Sequence, residues 1–169
     1  MNVVLIGFRG SGKTTLGRLL AAKLKRPFYD VDQEVERRTG RTIREIVEAG
    51  GWEAFRNDEK DAIRDLCGLR EAILAPGGGA VLDADNVRNL KRSGKLFWLK
   101  VNPRTAFSRI CSDQSTKSRR PSLTPLDPYE EVVRLIRQRE PFYRKAADVV
   151  VETDGNAIEV LVQEILDRM

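Results

Sequence analysis

Histidine is absent from this 169-residue chain, and cysteine occurs only twice, at Cys67 and Cys111. Without imidazole there is no Ser-His or Cys-His nucleophile pair, no histidine general base and no zinc-finger spacing. Any proton transfer falls to Asp, Glu, Lys or Tyr. The two cysteines, far apart in sequence, are read as buried free thiols. No apolar run approaches the ~20 residues of a membrane span, so no membrane partner is expected. The opening MNVVLIGFRG has neither the basic start nor the cleavage site of a secretory signal, and the expected location is the cytoplasm. Neither sign of charge dominates: 30 Lys and Arg stand against 25 Asp and Glu, for a formal net charge of +5. The one dense basic cluster, Lys117, Arg119 and Arg120, has no interleaved aromatics. Small anionic ligands account for the basic surplus as well as nucleic acid does, and no nucleic-acid partner is expected.

What the chain does have is alternation. Short apolar runs at Asn2–Ile6, Pro27–Asp30, Ala72–Ala75, Leu96–Val101 and Asp148–Val151 read as strands covered on both faces. Between them lie helical patterns at Lys13–Leu24, Gln33–Thr39, Thr42–Ala49, Trp52–Leu66, Asp83–Lys91, Pro103–Ile110, Tyr129–Arg139 and Ala157–Asp167. Thr42 with Glu45 forms a capping box, and Asp83 suits an N-cap. This order predicts a doubly wound α/β fold in a single domain spanning residues 1–169. The polar stretch Ser112–Pro128 holds three of the seven prolines and reads as a mobile lid.

Gly7-Phe8-Arg9-Gly10-Ser11-Gly12-Lys13-Thr14 matches G-x-x-x-x-G-K-[ST], directly after the first strand and opening the first helix. Glycines let successive backbone N–H groups curl toward phosphate oxygens, and the helix N-terminus adds its positive dipole end. Lys13 reaches the β- and γ-phosphates and the Thr14 hydroxyl ligates Mg²⁺ in this arrangement. The pattern therefore predicts a nucleoside triphosphate with its metal.

Asp30 and Asp32 end the second predicted strand, where alternate residues share a face. Both carboxylates then look over the C-terminal sheet edge at which α/β folds bind ligands. A cation on one and an acceptor hydroxyl on the other relieve their repulsion; a pair of helix-capping acids is the plainer alternative. The third strand runs into Pro76-Gly77-Gly78-Gly79 with no acid at its end, so Asp30 is the natural second metal supplier. The glycine trio suits close approach of a ligand to bare N–H groups, or a flexible turn. Arg56, after Trp52 and Phe55, and Arg139, ending a helix before Pro141, are candidate bidentate carboxylate binders or ordinary surface arginines.

Taken in order, the glycine loop, Asp30-x-Asp32, Phe55-Arg56, Gly77-Gly78-Gly79, Arg120-Pro121 and Arg139-x-Pro141-x-Tyr143 resemble the shikimate kinases over nearly the whole chain. The resemblance implies a P-loop kinase fold, a five-stranded parallel sheet of order 2-3-1-4-5 with helices on both faces. It implies phosphoryl transfer from ATP, with Mg²⁺, to the 3-hydroxyl of shikimate by a monomer. Gly10, Ser11, Gly12, Lys13, Thr14 and Thr15 would then hold the phosphates, and Arg109 and Asn156 would flank the adenine. Asp32, Arg56, the glycine trio and Arg139 would hold shikimate. Lys13, Asp32 and Arg120 would be catalytic, and Thr14 and Asp30 would serve the metal. Two mobile parts are implied, a substrate-binding segment at about 33–64 and a lid at about 112–125. Where the family usually continues with two leucines after Arg120-Pro121, this chain reads Ser122-Leu123. A gluconate-type sugar-acid kinase and a nucleotide-binding regulatory module are the rival readings.

Overall fold

The computed structural model describes residues 1–113 and 127–169. Five strands, β1 (Asn2–Ile6), β2 (Phe28–Asp30), β3 (Ile73–Ala75), β4 (Gly94–Lys100) and β5 (Val149–Glu152), form one sheet of order β2-β3-β1-β4-β5. Every pairing is parallel, with Val3 opposite Ile73 on one side of β1 and Lys95 on the other. The described helices are α1 (Lys13–Leu24), α2 (Val31–Thr39), α3 (Ile43–Leu66), α4 (Ala84–Ser93), α5 (Pro103–Ser112), α6 (Pro128–Ala146) and α7 (Ile158–Asp167).

All five β1 residues are buried because helices cover both sheet faces. Val3, Leu5, Ile73, Phe97 and Leu99 pack against Leu16 and Leu20 of α1 and Leu161, Val162 and Ile165 of α7. The alternate residues Val4, Ile6, Leu74, Leu96 and Trp98 face Phe55, Ala62, Ile63, Leu90, Tyr143 and Ala146 on the other side. A third cluster, Phe8, Val101, Ala106, Val132 and Leu135, joins the turn after β1 to α5 and α6. Asn2 is fully buried and latches the sheet by accepting from the Ala72 N–H at 3.0 Å and donating to Leu69 O at 2.9 Å.

Local chemistry sets the helix ends. Thr42 and Glu45 form the expected capping box, and the Asp83 side chain accepts from Asp85 N and Asn86 N. Three expectations change. The two helices expected on either side of residues 50–51 are continuous as α3 except at Gly51, whose φ of 72° interrupts the helix. Pro141 does not stop α6, which runs on to Ala146, so Arg139 lies inside a helix and not at its end. Proline removes one N–H donor, and burial of Tyr143 and Ala146 beyond it holds the helix together. Finally, Cys67 is only half-buried and Cys111 is exposed, both free. Residues 114–126, which include Arg120 and most of the expected lid, lie outside the described residues.

Candidate active site

At the C-terminal edge of the sheet the turn after β1, the ends of β2 and β3 and the end of α5 enclose a cleft of about 680 Å³. Gly10, Gly12, Lys13, Thr14, Thr15, Asp30, Asp32, Gly77, Gly78 and Arg109 all line it.

The glycine loop needs its glycines. Gly10 and Gly12 have φ of 80° and 96°, which residues with a Cβ rarely adopt. A Cβ on Gly10 would also sit 2.7 Å from Ala106 O of α5. Ser11 is buried within the loop. The Lys13 ammonium donates to Gly7 O at 2.7 Å and Phe8 O at 3.1 Å, which lays the side chain along the loop it serves.

Asp32 is not on the strand. β2 stops at Asp30, and Asp32 stands in the first turn of α2. The cause is Asp30 itself, whose Oδ1 caps α2 by accepting from Asp32 N at 3.1 Å and Gln33 N at 3.4 Å. Its other oxygen, Oδ2, accepts from the Thr14 hydroxyl at 3.0 Å. The helix-capping reading of Asp30 is thus met by one oxygen, and the other faces the Thr14 hydroxyl. Burial, then the neighbouring Asp32 charge, raise the Asp30 carboxyl above its usual range, against lowering by Thr14 and Lys13. A carboxylate so placed is a natural partner for a cation. Among the described residues no group of three or more Asp, Glu, Cys or His could hold a metal alone. One hydroxyl and one carboxylate fit a hard cation completed by phosphate oxygens and water.

Beside this cleft two arginines meet the glycine turn. The Arg56 guanidinium donates to Glu59 at 2.5 Å, and Glu59 is fully buried on α3. A Cβ on Gly79 would lie 2.3 Å from Arg56 Nη2. Gly79 has an ordinary φ of −97°, so a side chain there would meet no backbone strain but would push the Arg56 guanidinium aside. Arg139 is buried on α6, its guanidinium 5.6 Å from the Phe8 ring centroid. A Cβ on Gly78 would lie 3.5 Å from Arg139 Nη1. Arg56, Gly78, Gly79 and Arg139, separated widely in sequence, are therefore neighbours.

The outlying candidates are looser. Arg109 is exposed at the cleft rim and donates to Gly10 O at 3.0 Å. Asn156 is exposed, donates to Glu152 O at 3.0 Å within its own loop, and is not among the residues lining the cleft. Arg120 falls outside the described residues.

A family model described as Shikimate kinase matches residues 9–169. The chain belongs to the shikimate kinase family. Curated shikimate kinases from Syntrophus aciditrophicus and Moorella thermoacetica are 41% and 44% identical to it, each over 99% of this chain and over 90% and 94% of their own lengths. The solved structure of a shikimate kinase from Acinetobacter baumannii in complex with shikimate superposes with a TM-score of 0.91 at 36% identity, covering 99% of this chain and 91% of that one. The family resemblance and sheet order expected from the sequence both hold. Membership makes the chain an ATP-dependent kinase, a phosphotransferase with an alcohol acceptor.

Two acids in this shikimate kinase framework escaped the sequence reading. Glu59 falls on the buried stripe Phe55, Glu59, Ala62, Ile63, Leu66, which its helical spacing betrays. Glu131 is buried on α6, 3.8 Å from Arg9 of the glycine loop, a pairing across distant segments that no local pattern announces.

Proposed function

We propose that this protein is a shikimate kinase that moves the γ-phosphoryl group of ATP to the 3-hydroxyl of shikimate, giving shikimate 3-phosphate and ADP. The observation that carries the reading is the meeting of Arg56 and Arg139 at the buried glycine turn beside a complete phosphate loop. A regulatory nucleotide switch has no need of two guanidinium groups beside its phosphate site. Two planar donors match a carboxylate on the acceptor.

In this scheme Gly10, Ser11, Gly12, Lys13, Thr14 and Thr15 cradle the phosphates. Arg109 borders the adenine, with Asn156 at the far wall. Arg56, Arg139 and the Gly77-Gly78-Gly79 turn hold the acceptor carboxylate, and Asp32 hydrogen-bonds the ring hydroxyl. As the hydroxyl oxygen attacks, its proton passes to Asp32, the new P–O bond forms and the bond to ADP breaks. Lys13 and Arg120 neutralise the charge on the transferring group, where positioning and charge supply most of the acceleration. Mg²⁺ held by Thr14 and Asp30 would neutralise phosphate charge when bound. Residues 1–169 act as one kinase domain, with an acceptor-binding segment at about 33–64 and a lid at about 112–125.

The monomer is carried over from the family resemblance. Among the described residues no helix is long and apolar enough to cross a membrane. ATP use and two free cysteines fit the cytoplasm.

The deciding experiment is ADP release with Mg²⁺-ATP in the presence of shikimate, of gluconate or of no acceptor. Turnover with shikimate at least a hundredfold above the other two is expected. Equal release without acceptor would leave only an ATPase, and a preference for gluconate would move the acceptor assignment.

A further inference from the structure

The ending Arg139-x-Pro141-x-Tyr143 contains one residue to which the transfer scheme gives nothing. Tyr143 lies one turn after Arg139 on α6 and is 2% exposed. Its hydroxyl donates to Gly78 O at 2.5 Å, and the Arg139 guanidinium lies beside it, with Nη1 3.5 Å from the position a Cβ on Gly78 would take. The ring stacks on Trp98, with centroids 5.7 Å apart and planes 20° from parallel. A Cβ on Gly78 would lie 3.4 Å from the Tyr143 hydroxyl and 3.4 Å from Gly7 O, so this glycine is the junction of phosphate loop, acceptor turn and α6.

The two jobs of the side chain are separable. Stacking on Trp98 needs only the ring, which phenylalanine supplies equally well. Linking the neighbouring Arg139 to Gly78 takes an oxygen that can accept from the guanidinium while donating to the Gly78 carbonyl, and a phenol can do both. Burial pushes the phenol up to about 12, so it keeps its proton through the working pH range, though Arg139, Arg56 and Glu59 also act on it. An arginine left to its own rotamers loses several of them on binding a carboxylate, a cost removed when its guanidinium is already fixed.

We propose that Tyr143 is a positioning residue for acceptor recognition, its hydroxyl fixing the Arg139 guanidinium to the Gly78 turn so that both meet the acceptor carboxylate in one preset geometry. The inference rests on the reading of Arg139 as a carboxylate binder. Tyr143 touches neither substrate. It acts through Arg139.

The test compares kcat/KM for shikimate and for its methyl ester, at saturating Mg²⁺-ATP, in wild type, Arg139→Ala and Tyr143→Phe. Wild type prefers the acid, and Arg139→Ala loses most of that preference. Tyr143→Phe is expected to lower the acid-to-ester ratio about tenfold. The loss should fall on the shikimate KM, with kcat, the ATP KM and ester turnover within about twofold of wild type. Ester turnover in the same variant reports that it is folded. Acid and ester falling together would reduce the phenol to packing and overturn the proposal. An unchanged ratio in Tyr143→Phe, with Arg139→Ala behaving as expected, overturns this proposal alone. A wild type that does not discriminate removes the arginine reading and this inference with it.

Discussion

The phosphate loop and the acceptor cradle hold their cations differently. Lys13 bonds back to main-chain carbonyls of its own loop, Gly7 and Phe8. Arg56 is held by the buried Glu59 one helical turn away, and Arg139 has the buried Tyr143 as its neighbour one turn on. The loop is a local object made by eight consecutive residues and a helix start. The cradle exists only when α3, the turn after β3 and α6 are packed together. Damage to the loop should therefore remove chemistry outright, whereas damage to the cradle should weaken acceptor binding by degrees.

The sharpest way to break that comparison is Lys13→Ala. It should lower kcat at least ~10³-fold, because a charge at the transferring group has no substitute. Activity within tenfold of wild type would take the lysine out of the phosphate clamp.

Arg120→Ala should come next, lowering kcat about a hundredfold while calorimetry shows shikimate affinity within about twofold of wild type, the signature of an interaction made chiefly in the transition state. Arg139→Ala should do the opposite. Losing one charged partner of a buried carboxylate costs ~2–3 kcal/mol, or roughly thirty- to 150-fold in shikimate affinity. If Arg120→Ala abolished shikimate binding and Arg139→Ala left it intact, the two roles would be exchanged.

Gly79→Ala probes the cradle without touching a charge. The new Cβ would displace the Arg56 guanidinium, 2.3 Å away, and the shikimate KM should rise about tenfold with kcat nearly kept. An unaltered KM would mean that Arg56 has room to move aside at no cost to binding.

The smallest effect expected is on stability. Asp30 is raised by burial and by Asp32, so the folded protein binds its proton more tightly than the unfolded chain does. The ionised carboxylate therefore costs stability at neutral pH. That cost is relieved as pH falls through the raised value and is gone below the usual value of 3.8. Asp30→Asn, which retains an oxygen to cap α2, should raise the Tm of the nucleotide-free protein by up to about 4 °C at pH 7. The gain should vanish toward pH 3; a gain independent of pH would point to packing and not to charge.

How much of this was legible in the sequence follows the same division. The glycine loop, β1 and α1 were readable to the residue because each depends on neighbours in the chain. The caps at Thr42 and Asp83 were readable for the same reason. The expected strand end at Asp30 holds, but Asp32 was read as sharing the strand's face, whereas the capping power of Asp30 starts α2 at Val31 and puts Asp32 in its first turn. Pro141 suggested a helix end, but its missing N–H is outweighed by the buried residues that follow. The glycine trio lies at the turn the sequence marked, yet the close neighbour at Gly79 is a guanidinium of another helix, which no local pattern encodes. Glu59 needed only helical periodicity to be found. Glu131 needed the fold.

Parallel order around a central first strand also has a consequence for how the chain assembles. β1 is made first, but its hydrogen-bonded neighbours are β3 and β4, and β2 likewise pairs only with β3. A chain emerging during synthesis thus carries two strands with no partner until Ile73–Ala75 appears. Loop closure across such separations is slow, and open strand edges invite association with other chains. A fragment ending before β3 would have no sheet at all. The Asn2 side chain, which bonds Leu69 O and the Ala72 N–H just ahead of β3, is placed to register that first long-range pairing as it forms.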